Sequence, residues 1–336
     1  MSGAVGHLVV GFETHGVVRY AMAVHDALVA RGMPCSLAVA APTGPVPSSL
    51  AECSLVHIHV TDRLFGADPG EALQNLRLLA ESIGGPMSLT LHDIPQPSDG
   101  AVMPRRADFY RGAIASADGV IVSSEHEARL LREFVDPGAN PEVVPLMIDA
   151  PRGDADPPAV PTNTVGILGF LYPGKGHIDT VNAMVDLPPA VKIVALGTAS
   201  PGHEDLVDEL RAVASNQGRN FEITGFLDDD ELHRRMREIT VPVAYHRHMS
   251  ASGSINTWIS ARRRPLVPRS DYVVELERRS PGVVCVHDDN EDALRDAIVA
   301  GLTNPLETWI DQEVRPVPSP GDVAEAYSAL YRRWCA

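Results

Sequence analysis

Lysine is nearly absent from this chain. Of 28 basic side chains in 336 residues only two are lysines, Lys175 and Lys192, and arginine supplies the rest. Positive charge as a whole is scarce: 44 acidic groups leave a net charge of −16. That balance argues against broad nucleic-acid binding, because phosphate backbones need a basic face, although a local basic patch is compatible with it. Cysteine is sparse too. Cys35, Cys53, Cys285 and Cys335 show no CxxC spacing, so neither a zinc site nor a disulfide framework is indicated and all four are expected reduced. Long apolar runs are missing. The start, "MSGAVGHLVVGF", has no early Lys or Arg and only a short apolar stretch, so neither a signal peptide nor a transmembrane segment is expected, and cytosolic residence is the default. No GxGxxG follows the first strand of either half, which weakens a nicotinamide-dehydrogenase reading. No Asp-x-Asp stands at a strand end; "DDD" (228–230) heads a helix, where carboxylates suit the dipole. Neither a metal nor a cofactor is therefore expected.

What is present is alternation. A chain of this length suits two domains of roughly 150 residues, and 44% hydrophobic against 21% charged residues is a soluble composition. Strand-like runs at 7–12, 35–41, 55–60, 87–93, 119–124 and 142–148 are separated by helical stretches at 16–31, 71–83, 105–116 and 125–134. The segment 149–162, "DAPRGDADPPAVPT", has the composition of a linker. Alternation then restarts. Strands are expected at 164–170, 191–197, 221–226, 241–246, 264–268 and 282–286, and helices near 177–186, 203–216, 229–238, 254–262 and 290–302. The fold class expected is α/β with two Rossmann-like domains, 1–150 and 163–316, joined by a linker at 151–162. A terminal helix at 317–336 packs back on the first domain. Ligands of such sheets sit outside the carboxyl ends of the strands.

Two stretches point to an anion. In "HRHMSASGSINTWISARRRPLV" (246–267) the small residues Ser252, Gly253 and Ser254 open a helix, with His246, Arg247 and His248 shortly before. Free backbone N–H groups and the helix dipole would favour a phosphate there, and an ordinary serine N-cap is the plainer reading. In "YPGKGH" the chain keeps one of its two lysines between Gly174 and Gly176. A compact ammonium with close backbone approach suits the same charge.

These features together resemble the GT-B glycosyltransferases, in which two Rossmann-like domains face each other across a cleft. "GILGFLYPGKGHIDTVNAM" (166–184) is similar to the first strand and loop of the second domain in the large retaining glycosyltransferase family 4: a strand ending in glycine (Gly169), then Lys-Gly (Lys175, Gly176). "ITGFLDDDELHRRM" (223–236), "SASGSINTWISARRRPLV", "LVHIHVTDRLFG" and "SLTLHDIP" occupy the places of further family motifs. The resemblance implies a nucleotide-diphosphate sugar as donor and a hydroxyl acceptor. It implies retention by front-face attack, the departing phosphate taking the acceptor's proton. Gly169, Lys175, Gly176, Ser252, Gly253 and Ser254 would hold the diphosphate, and Phe226, Leu227 and Leu232 would lie near the base. His92 would meet the sugar, with Asp93 orienting the acceptor. Thr14, His15 and Gly16 form the turn that corresponds to the family's glycine-rich loop, and Asp62 and Arg63 would line the acceptor side.

The chain also departs from the family. The family's arginine five residues before the lysine is Phe170, which leaves Arg247 as the replacement cation. The glutamate pair would align near Ser250 and Trp258, neither acidic; Trp258 suits a helix core. A nucleotide-sugar binding protein without transfer activity is therefore the alternative. Arg105 and Arg106 offer a solvated helix start or a lure for an anionic acceptor. His57 and His59, two apart on one strand face, are read as packing residues.

Overall fold

The structure is a computed structural model that describes residues 4–150 and 162–335. The expected linker, apart from Thr162, lies outside the described residues. The chain divides into two compact units: Met1–Met147 with Pro318–Ala336, and Ile148–Val317.

The first unit runs β1 (Val5–Val10), α1 (Gly16–Ala30), β2 (Cys35–Ala40), β3 (Leu55–Val60), α2 (Asp62–Phe65), α3 (Pro69–Ile83), β4 (Met87–Leu91), α4 (Met103–Ala115), β5 (Gly119–Val122), α5 (Glu125–Phe134) and β6 (Glu142–Val143). Its six strands lie in the order β2-β1-β3-β4-β5-β6, and every pair is parallel. Strands β1, β3 and β4 are buried along their whole length, as expected of parallel strands covered on both faces and written in unbroken apolar runs.

The second unit follows with β7 (Thr164–Leu168), α6 (His177–Ala183), β8 (Lys192–Leu196), α7 (Asp205–Asn216), β9 (Phe221–Ile223), α8 (Asp229–Glu238), β10 (Val241–Val243), α9 (Gly253–Ser260), β11 (Leu266–Pro268), α10 (Asp271–Arg279), β12 (Cys285–His287) and α11 (Glu291–Thr303). Its sheet, also parallel throughout, has the order β12-β11-β10-β7-β8-β9. In each sheet the first strand has later strands on both sides. The loops after β1 and β3, and after β7 and β10, therefore diverge and open a crevice at the carboxyl edge.

The last helix, α12 (Pro320–Trp334), belongs to the first unit. Ser319 and Asp322 cap it reciprocally, Ser319 Oγ accepting the Asp322 N–H and Asp322 Oδ2 the Ser319 N–H. It buries Val323, Ala324, Tyr327, Leu330 and Tyr331, the spacing of one helix face. These pack with Val24 and Leu28 of α1 and with Val5, Leu55 and Ile121 of the sheet.

The sequence-based strands run past the observed ends on the carboxyl side. The expected 241–246 stops at Val243 and 221–226 at Ile223, because the chain leaves the ladder there to build loops. Helices α2 and α10 were not expected. "DYVVELERR" has the Ser270 cap and an amphipathic face, but its shortness between two strand-like runs hides it in the sequence.

Candidate functional site

In the second unit the loops after β7 and β10 come together at the sheet's switch point. Gly169 leaves β7 with φ +112, and a Cβ there would stand 3.2 Å from Lys175 Cε, so the lysine stem lies on the bare backbone. Gly176 follows in a left-handed conformation (φ +86), and a Cβ would approach the Tyr245 carbonyl oxygen to 2.0 Å. Only glycine fits. Across the gap, Arg247 N–H donates to the Gly174 carbonyl at 2.9 Å, which ties the two loops together.

Lys175 is 7% exposed. Its Nζ donates to Ser254 Oγ at 2.9 Å, and among the described residues no carboxylate pairs with it. Burial pulls its pKa down to about 8. His246 lies with Nε2 3.4 Å from Ser254 Oγ and Nδ1 3.4 Å from Ser252 Oγ; burial first, then the Lys175 charge, holds it well below the usual range. His177 is buried with neither ring nitrogen partnered, and burial and Lys175 bring it to about 3. One ammonium is thus flanked by imidazoles that burial holds towards the neutral form, with no carboxylate to answer it among the described residues.

The Ser252-Gly253-Ser254 turn stands beside this ammonium. Ser252 is the N-cap of α9, its Oγ accepting the Ile255 N–H at 3.3 Å. Among the described residues the N–H groups of Gly253 and Ser254 have no acceptor, as the first turn of a helix requires. A Cβ on Gly253 would meet nothing within 4 Å, so the turn faces open space. Buried ammonium, free N–H groups and two hydroxyls are the chemistry of a phosphate site.

Arg247 is ion-paired with Asp179 and lies 5.5 Å over the Tyr245 ring, whereas Lys175 has no carboxylate partner among the described residues. His246, grouped with the cations by sequence, is neutral. Trp258, which suits a helix core, is buried among Leu168, Leu196 and Met236. Phe226, 66% exposed, stands beyond β9, while Leu227 and Leu232 pack partly against that same core cluster.

In the first unit the carboxyl edge of β3 and β4 carries a clamp. Arg106, expected on a solvated helix start, is instead 4% exposed. Its Nε and Nη2 grip both oxygens of Asp62 at 3.1 Å, Nη1 holds Asp99 at 2.8 Å, and Nη2 holds Asp93. Arg105 pairs with Asp68 at 2.7 Å. Neither arginine is a free cation for an anionic acceptor. Asp62 is buried by this grip, while Arg63 and Thr14 are exposed. Asp93 follows β4 with φ +57. His92 beside it is buried; its Nε2 lies 3.0 Å from His59 Nδ1, and burial lowers its pKa to about 3. His15 caps α1, its Nδ1 accepting the Val17 N–H at 3.2 Å, and Gly16 opens that helix with nothing within 4 Å of a Cβ.

His57 and His59 are packing residues, as read. His57 bonds Ser88 Oγ at 2.8 Å and Thr90 Oγ1 at 3.0 Å, and Thr90 Oγ1 meets Tyr327 OH at 2.9 Å. Among the described residues no three His, Cys, Asp or Glu side chains are grouped to hold a metal ion, and no helix is long and apolar enough to cross a membrane. What sequence reasoning missed is Arg106. The signal was Asp62 and Asp93, each just past the end of a neighbouring strand, with Asp99 in the short helical turn that follows, three carboxylates needing a counter-ion.

No family model matches the chain, and no curated protein matches it in sequence. Solved structures do resemble it. Anabaena HepE, in complex with UDP and glucose, superposes with a TM-score of 0.68 at 15% identity, over 98% of this chain and 95% of that one. Sucrose-phosphate synthase from Thermosynechococcus elongatus gives 0.67 at 15% identity over 98% of each chain. An alpha-glucosyltransferase in complex with UDP and a 13-mer DNA gives 0.64 at 11% identity over the whole of both chains. With two parallel six-stranded sheets flanked by helices and these likenesses along nearly its whole length, the chain has the fold of the GT-B glycosyltransferases.

Proposed function

We propose that this protein is a glycosyltransferase that moves a hexose from a nucleotide-diphosphate sugar, a UDP- or GDP-sugar, to an acceptor hydroxyl with retention of configuration. The observation that carries this reading is Lys175, a buried ammonium with no carboxylate partner beside the free N–H groups of α9. HepE and the alpha-glucosyltransferase, similar in fold, were solved with UDP.

In this reading Lys175, Gly169, Gly176, Ser252, Gly253 and Ser254 bind the diphosphate. Negative charge grows on the leaving phosphate as the anomeric bond breaks, and fixed donors in a buried site stabilise it most at that moment. Lys175 and the N–H groups take the part a divalent metal plays elsewhere, so the reaction is metal-independent. The leaving phosphate accepts the acceptor's proton, which asks no strong base of the protein. Phe226, Leu227 and Leu232 lie towards the base, Gly16 lets the backbone approach the donor phosphate, His92 meets the sugar with Asp93 orienting the acceptor, and Thr14, His15, Asp62 and Arg63 serve the acceptor side.

Phe170 and the non-acidic Ser250 and Trp258 favour a second reading, a nucleotide-sugar binding protein without transfer. Incubation with UDP-, GDP- and ADP-sugars separates the two: slow nucleotide release, water acting as acceptor, marks a transferase. Binding with no release from any of them, even with added sugar acceptors, marks a binder.

A further inference from the structure

The turn after β4 is held more firmly than a sheet edge needs. Asp93 adopts a left-handed backbone (φ +57), a conformation that costs a non-glycine residue energy and persists only when its surroundings enforce it. Its carbonyl oxygen accepts from Arg106 Nη2 at 2.8 Å and from Tyr110 OH at 3.1 Å, and Tyr110 OH also donates to the His92 carbonyl. The same Arg106 nitrogen holds Asp93 Oδ2 at 2.9 Å. Arg106 is itself fixed by the bidentate grip on Asp62 and by Asp99; burial alone disfavours its charge, but Tyr110, Asp93 and Asp62 outweigh burial and raise its pKa. Asp93 remains 55% exposed at the side chain, and among the described residues its Oδ1 has no hydrogen-bond partner.

We propose that Arg106 is a positioning residue: it fixes one carboxylate oxygen and the carbonyl of Asp93 so that the other oxygen, Oδ1, is presented to the attacking hydroxyl. This rests on the transferase reading above. The geometry suits it, because a carboxylate accepts from a hydroxyl only along its lone-pair directions. A free aspartate rotamer would meet that condition part of the time; a clamped one meets it always. Arg106 itself would not touch substrate. The attacking hydroxyl has a single proton: it points at Oδ1 while the acceptor docks, and as the anomeric bond to phosphate breaks and the new C–O bond forms it turns to a departing phosphate oxygen, which takes the proton, so none passes to Asp93.

The test is a double-mutant cycle on nucleotide release from whichever UDP-, GDP- or ADP-sugar the wild type cleaves fastest. We expect Asp93→Asn to lower kcat by about ten- to a hundredfold. Arg106→Lys should lower it comparably, with KM for the sugar nucleotide changed less than about twofold. The double variant should be no slower than Asp93→Asn by more than about threefold, because Arg106 acts through Asp93. An unchanged kcat in Arg106→Lys, or losses that multiply in the double variant, would overturn the proposal. Should Arg106→Lys fail to fold, Asp99→Asn loosens the guanidinium without stranding it. A fall in kcat that vanishes in the Asp93→Asn background supports the clamp, and no fall overturns it. A wild type that releases nucleotide from none of the sugars removes the transferase reading and this inference with it; wild-type release with multiplicative losses removes the inference alone.

Discussion

Lys175 reaches Ser254 across the gap between two neighbouring loops, Nζ to Oγ at 2.9 Å, and no anion completes the contact. A charge so placed costs stability. With its pKa brought from 10.5 to about 8, the folded state carries a penalty of roughly 3 kcal/mol at neutral pH. Lys175→Met, which keeps the stem and drops the charge, should therefore raise stability by ~1–3 kcal/mol while impairing nucleotide binding, the usual signature of a residue kept for function. Urea unfolding of the two proteins checks it, and a less stable Lys175→Met would mean the ammonium is structural.

The same shift predicts how binding depends on pH. A bound diphosphate favours the charged lysine and lifts its pKa, so association near pH 8.5 should draw a proton from the buffer. Affinity should fall as pH rises above about 8, by up to roughly tenfold per unit. Calorimetry with UDP in buffers of different ionisation heat reads the proton directly. No proton uptake, and affinity constant from pH 7 to 10, would remove Lys175 from the site.

The fold should be acid-sensitive well above the carboxylate range. Burial holds His7 and His92 near pH 3 and His57 and His59 well below 6.5. Their folded pKa values are depressed, so the unfolded chain binds protons first, and stability present above about pH 6.5 is lost as pH falls towards 3. One unit below 6.5 each contributes a loss of roughly 1.4 kcal/mol. Chemical denaturation at pH 7.5 and 5.5 should differ by at least ~3 kcal/mol; a difference under ~1 kcal/mol would contradict the buried neutral layer.

Gly253→Ala separates binding from folding. The added Cβ meets no protein atom within 4 Å, and alanine suits a helix start at least as well as glycine. Thermal stability should be unchanged or slightly raised. The methyl group would stand where the N–H groups face a phosphate, so UDP affinity should drop several-fold. Equal affinity in a titration would place the phosphate elsewhere.

The alternation of apolar runs makes both sheets legible in the sequence, since a parallel strand covered on both faces must be written as an unbroken apolar stretch. Lys175 stood out by rarity, and Ser252-Gly253-Ser254 by the turn chemistry that opens a helix. Arg106 did not. Its meaning lies in three aspartates separated from it by 44, 13 and 7 residues in sequence, and only strand order brings them together. Arg247 is illegible for the same reason: its partner Asp179 lies in the first turn of α6, and local sequence shows a charge without showing what answers it.

Titration of wild type and Lys175→Met with UDP and GDP tests the central claim most directly. We expect the wild type to bind at least one of them, and Lys175→Met to bind it about ten- to a hundredfold more weakly, the loss of one charge-assisted contact worth ~1.5–3 kcal/mol. Equal affinity in the two proteins, or no binding of either nucleotide by the wild type, would contradict the account.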